Sequence, residues 1–116
     1  MPKKKKILVT GGAGFVGTNL IKLLLKKTKY NVISIDNYSS GFKSNHIRNS
    51  RVKYISGQTV NISKLINKPK EIKSVFHFGE FARIYQSFLK MNECINSNSV
   101  GSNAVFNFCL KNNIKL

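Results

Sequence analysis

The stretch VTGGAGFVG, from Val9 to Gly17, decides the fold of this chain. It closes a short apolar run, Lys6 to Thr10, and leads into a segment whose apolar residues have helical spacing. A short, continuous apolar run that ends in glycines is typical of a strand buried on both faces of a parallel sheet. The glycines therefore mark a tight turn from a strand into a helix, with a backbone that something approaches closely.

The spacing of these glycines fits the pyrophosphate-binding pattern G-x-G-x-x-G, which starts at Gly12. In that pattern one glycine permits the turn, another leaves room for a diphosphate, and the last lets the helix pack closely. The start of the helix adds unpaired N–H groups and partial positive charge. Glycines that only form a tight turn are the simpler alternative. The residues of this loop that we predict to bind a dinucleotide are Gly11, Gly14, Phe15, Val16 and Gly17.

A carboxylate at the end of the second apolar run favours the dinucleotide. Asp36 is the only Asp in the chain and lies 19 residues beyond Gly17, where a carboxylate accepts hydrogen bonds from an adenosine ribose. Its charge would repel a 2′-phosphate, so we predict NAD rather than NADP as the cofactor. Lys43 would soften this preference if its loop folded inward, but we expect a solvated lysine.

Apolar runs and helical patterns alternate along the whole chain, which predicts a Rossmann-type, doubly wound parallel sheet in the α/β class. The predicted strands are Lys6–Thr10, Asn31–Asp36, Val52–Ser56 and Ser74–His77. The predicted helices are Gly14–Lys27, a short one around Ser44–Asn49, Ile62–Asn67 and Met91–Asn112. Residues 114–116 are interpreted as the opening of a fifth strand, so residues 1–116 form one incomplete NAD-binding domain.

The apolar stripes of the two long helices predict which faces are buried. The stripe predicted for the first helix consists of Val16, Leu20, Leu23 and Leu24. The stripe predicted for the last helix consists of Ile95, Gly101, Ala104, Val105, Phe108 and Cys109.

Composition indicates a globular, cytoplasmic protein. The chain has 116 residues, of which 41% are hydrophobic, and no apolar run approaches the roughly 20 residues that cross a bilayer. The net charge of +16 attracts polyanions, but the lysines are scattered and no nucleic-acid recognition motif accompanies them. We therefore predict neither a membrane partner nor a specific nucleic-acid partner.

Cysteines and histidines give no sign of a metal site. Cys94 and Cys109 lack C-x-x-C spacing and are interpreted as reduced and packed. His46 and His77 are far apart and have no acid or cysteine at ligand spacing. No metal is predicted.

Four motifs in order give the chain a family resemblance. They are TGGAGFVG at 10–17, DNYSSG at 36–41, VFHFGE at 75–80 and NSVGSNAVF at 98–106. With them the chain resembles the NAD-dependent epimerase/dehydratase family over its whole length, and is most similar to UDP-glucose 4-epimerase-like enzymes of nucleotide sugars.

The resemblance implies further cofactor residues. Asp36 and Asn37 would meet the adenosine ribose, Phe78 and Gly79 would line the cofactor after the fourth strand, and Asn98 would lie near the dinucleotide. Family members commonly carry Gly-Asp after the third strand to meet the adenine, and here Gln58 replaces that acid while keeping a carbonyl acceptor.

Other positions depart further from the family pattern. Glu80 stands where a small residue is usual and would disfavour a pyrophosphate unless it points away or pairs with Arg83. Ser87 and Arg83 match a loop that faces the substrate in relatives, although an exposed loop is the simpler interpretation.

The resemblance also implies hydride transfer between a nucleotide sugar and NAD, with a Ser or Thr and a Tyr-x-x-x-Lys pair as catalytic groups. The Tyr-x-x-x-Lys pair is not found, because the residue four places after each tyrosine is never a lysine, and the Ser or Thr would follow a fifth strand that only begins at residue 114. We therefore predict no catalytic residue in this chain and no activity on its own. A non-catalytic nucleotide-binding module and a basic nucleic-acid binder are the competing functions.

The predicted fourth strand would expose an edge that further strands normally cover. We expect marginal stability or association through that edge, with a homodimer among the outcomes.

Overall fold

A computed structural model of the chain describes residues 5–38, 41–78 and 101–116, and these contain one sheet of four parallel strands. The strands are β1 (Lys6–Thr10), β2 (Asn31–Asp36), β3 (Val52–Ser56) and β4 (Ile72–His77). Their order in the sheet is β3-β2-β1-β4, so the direction of winding reverses between β1 and β4. The predicted Rossmann-type parallel sheet is confirmed.

Helices cover both faces of the sheet in the described residues. They are α1 (Phe15–Lys27), α2 (Ile62–Leu65) and α3 (Gly101–Lys111). Successive side chains of a strand point to opposite faces, so Ile7 and Val9 of β1 pack with α1 while Leu8 packs on the side of α2 and α3. Two apolar clusters result, one on each face, and this is the doubly wound arrangement.

The buried face of α1 differs from the predicted stripe. Gly17, Ile21 and Leu24 are buried, whereas Val16 is 56% exposed and Leu23 is 52% exposed. The helix is rotated because Gly17, which has no side chain, is the point of closest approach to the glycine turn. The predicted stripe of α3 is confirmed at Val105, Phe108 and Cys109, which are buried.

Other helix and strand boundaries differ from the predicted ones by a few residues. β4 begins at Ile72 rather than Ser74, and the helix predicted over 62–67 ends at Leu65. The short helix predicted around Ser44–Asn49 is wrong, because only a 3₁₀ turn at Lys43–Asn45 forms and His46 is extended. The helix predicted from Met91 begins outside the described residues.

The last residues of the chain begin a further pairing, as predicted. Lys115 forms a parallel bridge with Ser74, and its carbonyl accepts a 2.9 Å hydrogen bond from the amide of Val75. The pairing lies on the side of β4 away from β1. None of the helices in the described ranges is long and apolar enough to span a bilayer.

Candidate dinucleotide site

The turn after β1 is built around a glycine in the left-handed region. Gly11 has φ of 73°, its amide donates to the carbonyl of Ile35 at 2.7 Å, and its own carbonyl accepts from the amide of Gly14 at 3.1 Å. A side chain would strain this conformation. The turn therefore depends on glycine at residue 11 and leads the chain directly into α1.

The other glycines of the turn differ in what a side chain would meet. A Cβ at Gly12 would overlap the hydroxyl of Ser34, and one at Gly17 would overlap the carbonyl oxygen of Gly11. A Cβ at Gly14 would meet only that same carbonyl, at an ordinary 3.4 Å. Gly14 also has φ of −81° and ψ of 179°, which any residue adopts. Neither sterics nor backbone conformation within the described part of the chain requires glycine there.

The start of α1 is open to an anion. No described side chain caps this terminus, and its first turn contains no acidic residue. Phe15 is 83% exposed, so the first turn faces solvent. The first amides of a helix have no partner within the helix and carry partial positive charge. The terminus thus offers N–H donors beside Gly14.

Asp36 joins the turn to the loop that follows β2. Its side chain is buried, and its two carboxylate oxygens accept hydrogen bonds from the amides of Ala13 at 3.0 Å and Tyr38 at 2.7 Å. Each carboxylate oxygen has two acceptor sites, so capacity remains for two ribose hydroxyls. The predicted acid therefore lies against the glycine turn in a fixed orientation.

A second loop packs against the turn through Ala13. The carbonyl of Ala13 accepts hydrogen bonds from the amide of Phe42 at 3.2 Å and from the side-chain amide of Asn45 at 2.8 Å. A Cβ at Gly41 would lie 2.7 Å from a carboxylate oxygen of Asp36. Sequence reasoning missed Ala13, Asn45 and the role of Gly41. Ala13 and Gly41 belong to the first and second of the four motifs, whereas Asn45 belongs to none.

Tyr38 closes this side of the site. It has φ of 62°, and a 2.6 Å hydrogen bond joins its hydroxyl to Nε2 of His46, whose ring stacks on Tyr54 at 3.7 Å. Burial, then the charge of Asp36 and then Tyr54 raise the pKa of Tyr38, so it stays neutral at physiological pH. The ammonium of Lys43, an exposed residue, lies 5.8 Å from the Tyr38 ring centre.

The remaining predicted residues lie at the same end of the sheet where they are described. Asn37 and Gln58 are exposed beside the ends of β2 and β3, and Phe78 is 41% exposed after β4. The amide of Gly57, next to Gln58, donates to the carbonyl of Asp36 at 3.1 Å. The predictions that lie outside the described residues concern Gly79, Glu80, Arg83, Ser87 and Asn98.

A cleft at the opposite end of the sheet is not the candidate site. It has a volume of about 360 Å³ and lies beside the amino ends of the strands, with Lys53 and Lys68 at its rim. Ligands of open parallel sheets bind at the carboxyl ends, where the winding reverses. The glycine turn and Asp36 are at those carboxyl ends. Within the described ranges, no cluster of three or more His, Cys, Asp or Glu residues could hold a metal ion.

The strand order and the glycine turn define a Rossmann-like fold, and comparison with known proteins gives its family. The model of the NAD dependent epimerase/dehydratase family matches residues 7–116. This chain belongs to that family, which is NAD-dependent.

Relatives share the fold and are longer. The UDP-glucose 4-epimerases of Drosophila melanogaster and Yersinia enterocolitica are each 32% identical to this chain. The alignment with the Drosophila protein covers 93% of this chain and 34% of that protein, and the alignment with the Yersinia protein covers 95% and 35%. The structure of an epimerase from Methanothermobacter thermautotrophicus matches with a TM-score of 0.85 at 27% identity, over 97% of this chain and 33% of that one. Bordetella bronchiseptica WbmF, solved with NAD⁺, matches with a TM-score of 0.82 at 25% identity, over 92% and 32%. The chain thus spans about a third of the length of these relatives.

Proposed function

We propose that this chain binds NAD at the carboxyl end of its sheet and supplies the NAD-binding part of a nucleotide-sugar epimerase or dehydratase. The amides at the start of α1 hold the diphosphate, and Asp36 accepts hydrogen bonds from the adenosine ribose. The loop through Asn37, the end of β3 at Gln58 and the end of β4 at Phe78 line the cofactor. By family pattern, Gly79 and Asn98 belong to the same site.

One observation carries this proposal, and it concerns Gly14. The backbone there suits any residue, and a methyl group would make only one ordinary contact with the described chain. The described residues leave this space open, and we attribute the glycine to a bound ligand. The open position lies next to uncapped helix amides, so the neighbour is an anion, and a diphosphate fits the spacing.

The chemistry of the complete enzyme rests on the cofactor. NAD would take a hydride from the sugar of a nucleotide sugar and return it in a later step. This chain contributes binding and orientation, since its described residues fix the diphosphate and the ribose. UDP-glucose 4-epimerases and a UDP-N-acetylglucosamine 4,6-dehydratase are among its relatives, which supports a nucleotide sugar as substrate.

Calorimetric titration with NAD tests the proposal through Gly14→Ala. This variant keeps the fold, because the added methyl has space, but it blocks the diphosphate. We expect binding to weaken at least tenfold, about 1.4 kcal/mol, with little change in thermal unfolding. Ser63→Ala, an exposed change on α2, is the control and should bind as the wild type does. Equal binding by Gly14→Ala, or no heat from a folded wild-type sample, would contradict the proposal.

The choice between NAD and NADP tests the role of Asp36 separately. The wild type should bind NADP at least tenfold more weakly than NAD, because the carboxylate repels the 2′-phosphate. Asp36→Asn removes the charge together with one of the two acceptors for the amides of Ala13 and Tyr38. The ratio of the NADP and NAD dissociation constants should therefore fall, even though both ligands bind more weakly. If the ratio of the NADP and NAD dissociation constants is the same in this variant as in the wild type, Asp36 does not face the ribose.

A further inference from the structure

A chain of hydrogen bonds links three elements at the point where the winding of the sheet reverses. Thr10 and His77 are partners in the β1–β4 register, and 2.6 Å separates the Thr10 hydroxyl from Nδ1 of His77. On its other side the imidazole meets the hydroxyl of Ser102 in α3, with 2.9 Å from Nε2 to Oγ. One side chain thus connects the ends of β1 and β4 with the first turn of α3.

The hydroxyls of Thr10 and Ser102, the two partners of His77, are both buried. Thr10 is 0% exposed, Ser102 is 7% exposed, and His77 lies half-buried between them. Buried polar groups that hydrogen-bond to one another orient the elements that carry them. His77 is suited to this position because its two ring nitrogens bond in opposite directions.

These hydrogen bonds also set the path of the backbone beyond β4. The amide of Phe78 donates to Thr10 twice, to the carbonyl oxygen at 3.0 Å and to the hydroxyl at 3.0 Å. The side chain of Phe78 is exposed at this edge. The hydroxyl that His77 orients is therefore also the one that holds Phe78 against the end of β1.

A dinucleotide lies across the reversal point of a Rossmann sheet, with one nucleotide on each side. The glycine turn and Asp36 occupy the side of β1, β2 and β3, and the end of β4 faces the other side. We propose that His77 is a positioning residue for the second half of the cofactor, acting through Thr10 and Ser102 on the end of β4. This inference rests on the proposed binding of NAD and adds the residue that orients its nicotinamide side.

A positioning role and a purely structural one predict different ligand profiles. If His77 orients the β4 side, its loss should weaken binding of NAD but not of ADP, which occupies only the side of the glycine turn and Asp36. If His77 merely stabilises the fold, the affinities for the two ligands should change together or not at all. The ratio of the two dissociation constants is therefore the informative quantity.

The experiment titrates the 116-residue chain with NAD and with ADP, in the wild type and in His77→Phe and Ser102→Ala variants. We expect the NAD dissociation constant to rise about tenfold in Ser102→Ala, which loses one of these hydrogen bonds, and at least tenfold in His77→Phe, which loses two, while that of ADP stays within about twofold. Thr28→Val is the control, because it also removes a hydroxyl hydrogen bond, to Leu24 at 2.7 Å, at the far end of α1. It should leave the ratio unchanged.

The outcomes separate this inference from the proposed function. A wild-type chain that is folded and binds neither ligand overturns both. A wild type that binds NAD, with variants whose ratio of dissociation constants equals that of the wild type, overturns the role of His77 alone. If His77→Phe does not fold, Ser102→Ala and Thr10→Val decide the question, because each removes one hydroxyl: the first leaves the Cβ in place and the second replaces the hydroxyl with a methyl group.

Discussion

The glycines of the turn after β1 have distinct physical roles, although their spacing presents them alike. Gly11 supplies a left-handed conformation, while Gly12 and Gly17 make room for contacts inside the protein. Gly14 alone leaves space that the described chain does not fill. Motif spacing predicted the set, but only the structure separates the glycines that folding requires from Gly14, which the described residues do not require.

Ser34 is the partner that excludes a side chain at Gly12, and it has an unusual environment. It lies in β2 and is 0% exposed, and its hydroxyl has no hydrogen-bond partner among the described residues. A buried hydroxyl without a partner costs about 1–3 kcal/mol. The close contact with Gly12 leaves little space for a larger residue.

Ser34→Ala should therefore stabilise the chain, by about 1 kcal/mol, because it removes an unsatisfied hydroxyl and keeps the Cβ. Chemical denaturation measures the change in the free energy of unfolding. Ser102→Ala is the matched control, a buried serine whose hydroxyl meets His77, and it should destabilise by a similar amount. A loss of stability in Ser34→Ala as large as in Ser102→Ala would contradict the assignment.

Part of the site could be predicted residue by residue, and part could not. Asp36 was predicted from its distance along the chain, and it lies against the glycine turn as the motif requires. Asn45 had no signal, because its bond to Ala13 joins residues 32 apart and depends on how the loop folds back. The Tyr38–His46–Tyr54 contacts were missed for the same reason. Contacts between loop residues leave no periodic pattern in the sequence from which they could be predicted.

Among the elements, strands were predicted better than helix faces. Strands buried on both faces are continuous apolar runs, so their positions can be predicted from the sequence. The start of β4 lies only two residues from the predicted one. The face of α1 was wrong at Val16 and Leu23, because apolar residues occur around most of that helix. Its rotation is set instead by the contact of Gly17 with the turn.

The C-terminal end of α1 is held by the side chain of Arg51, the residue immediately before β3. The guanidinium of Arg51 donates to the carbonyls of Thr28 at 2.9 Å and Tyr30 at 3.2 Å, and also to that of Leu25. These carbonyls belong to the end of α1 and to the connection into β2. Arg51 therefore joins the first strand-helix-strand unit to β3, at the end of the sheet away from the glycine turn.

Arg51→Ala should lower the free energy of unfolding by about 2 kcal/mol, as expected for hydrogen bonds from a charged group. Affinity for NAD should change little, because the contact is remote from the site. Arg48→Ala, which changes an exposed arginine three residues earlier, is the control and should be nearly neutral. Thermal or urea unfolding of the two variants checks this, and equal stabilities would show that the Arg51 contacts contribute nothing.

For the molecule as a whole, the sheet has two outer edges, at β3 and at β4, and the edge of β4 is the one at which the end of the chain begins to pair. In the described ranges, this edge pairs only at Ser74 with Lys115. Unpaired strand edges template association with other chains. The relatives are about three times as long as this chain.

We therefore predict that the 116-residue chain associates through β4. Size-exclusion chromatography with light scattering should show a mass that rises with concentration. Phe76→Lys, which places a charge on this edge strand, should shift the chain toward the monomer. A stable, compact monomer at every concentration, for both proteins, would contradict the prediction.

The central claim is that amides at the start of α1 and the carboxylate of Asp36 hold NAD, and nuclear magnetic resonance of the ¹⁵N-labelled chain tests it most directly. On titration with NAD, the amide signals of residues 11–17 and 36–38 should shift most, and signals around Arg51 should stay in place. Shifts centred on the amino ends of the strands, with the glycine turn unaffected, would contradict the account.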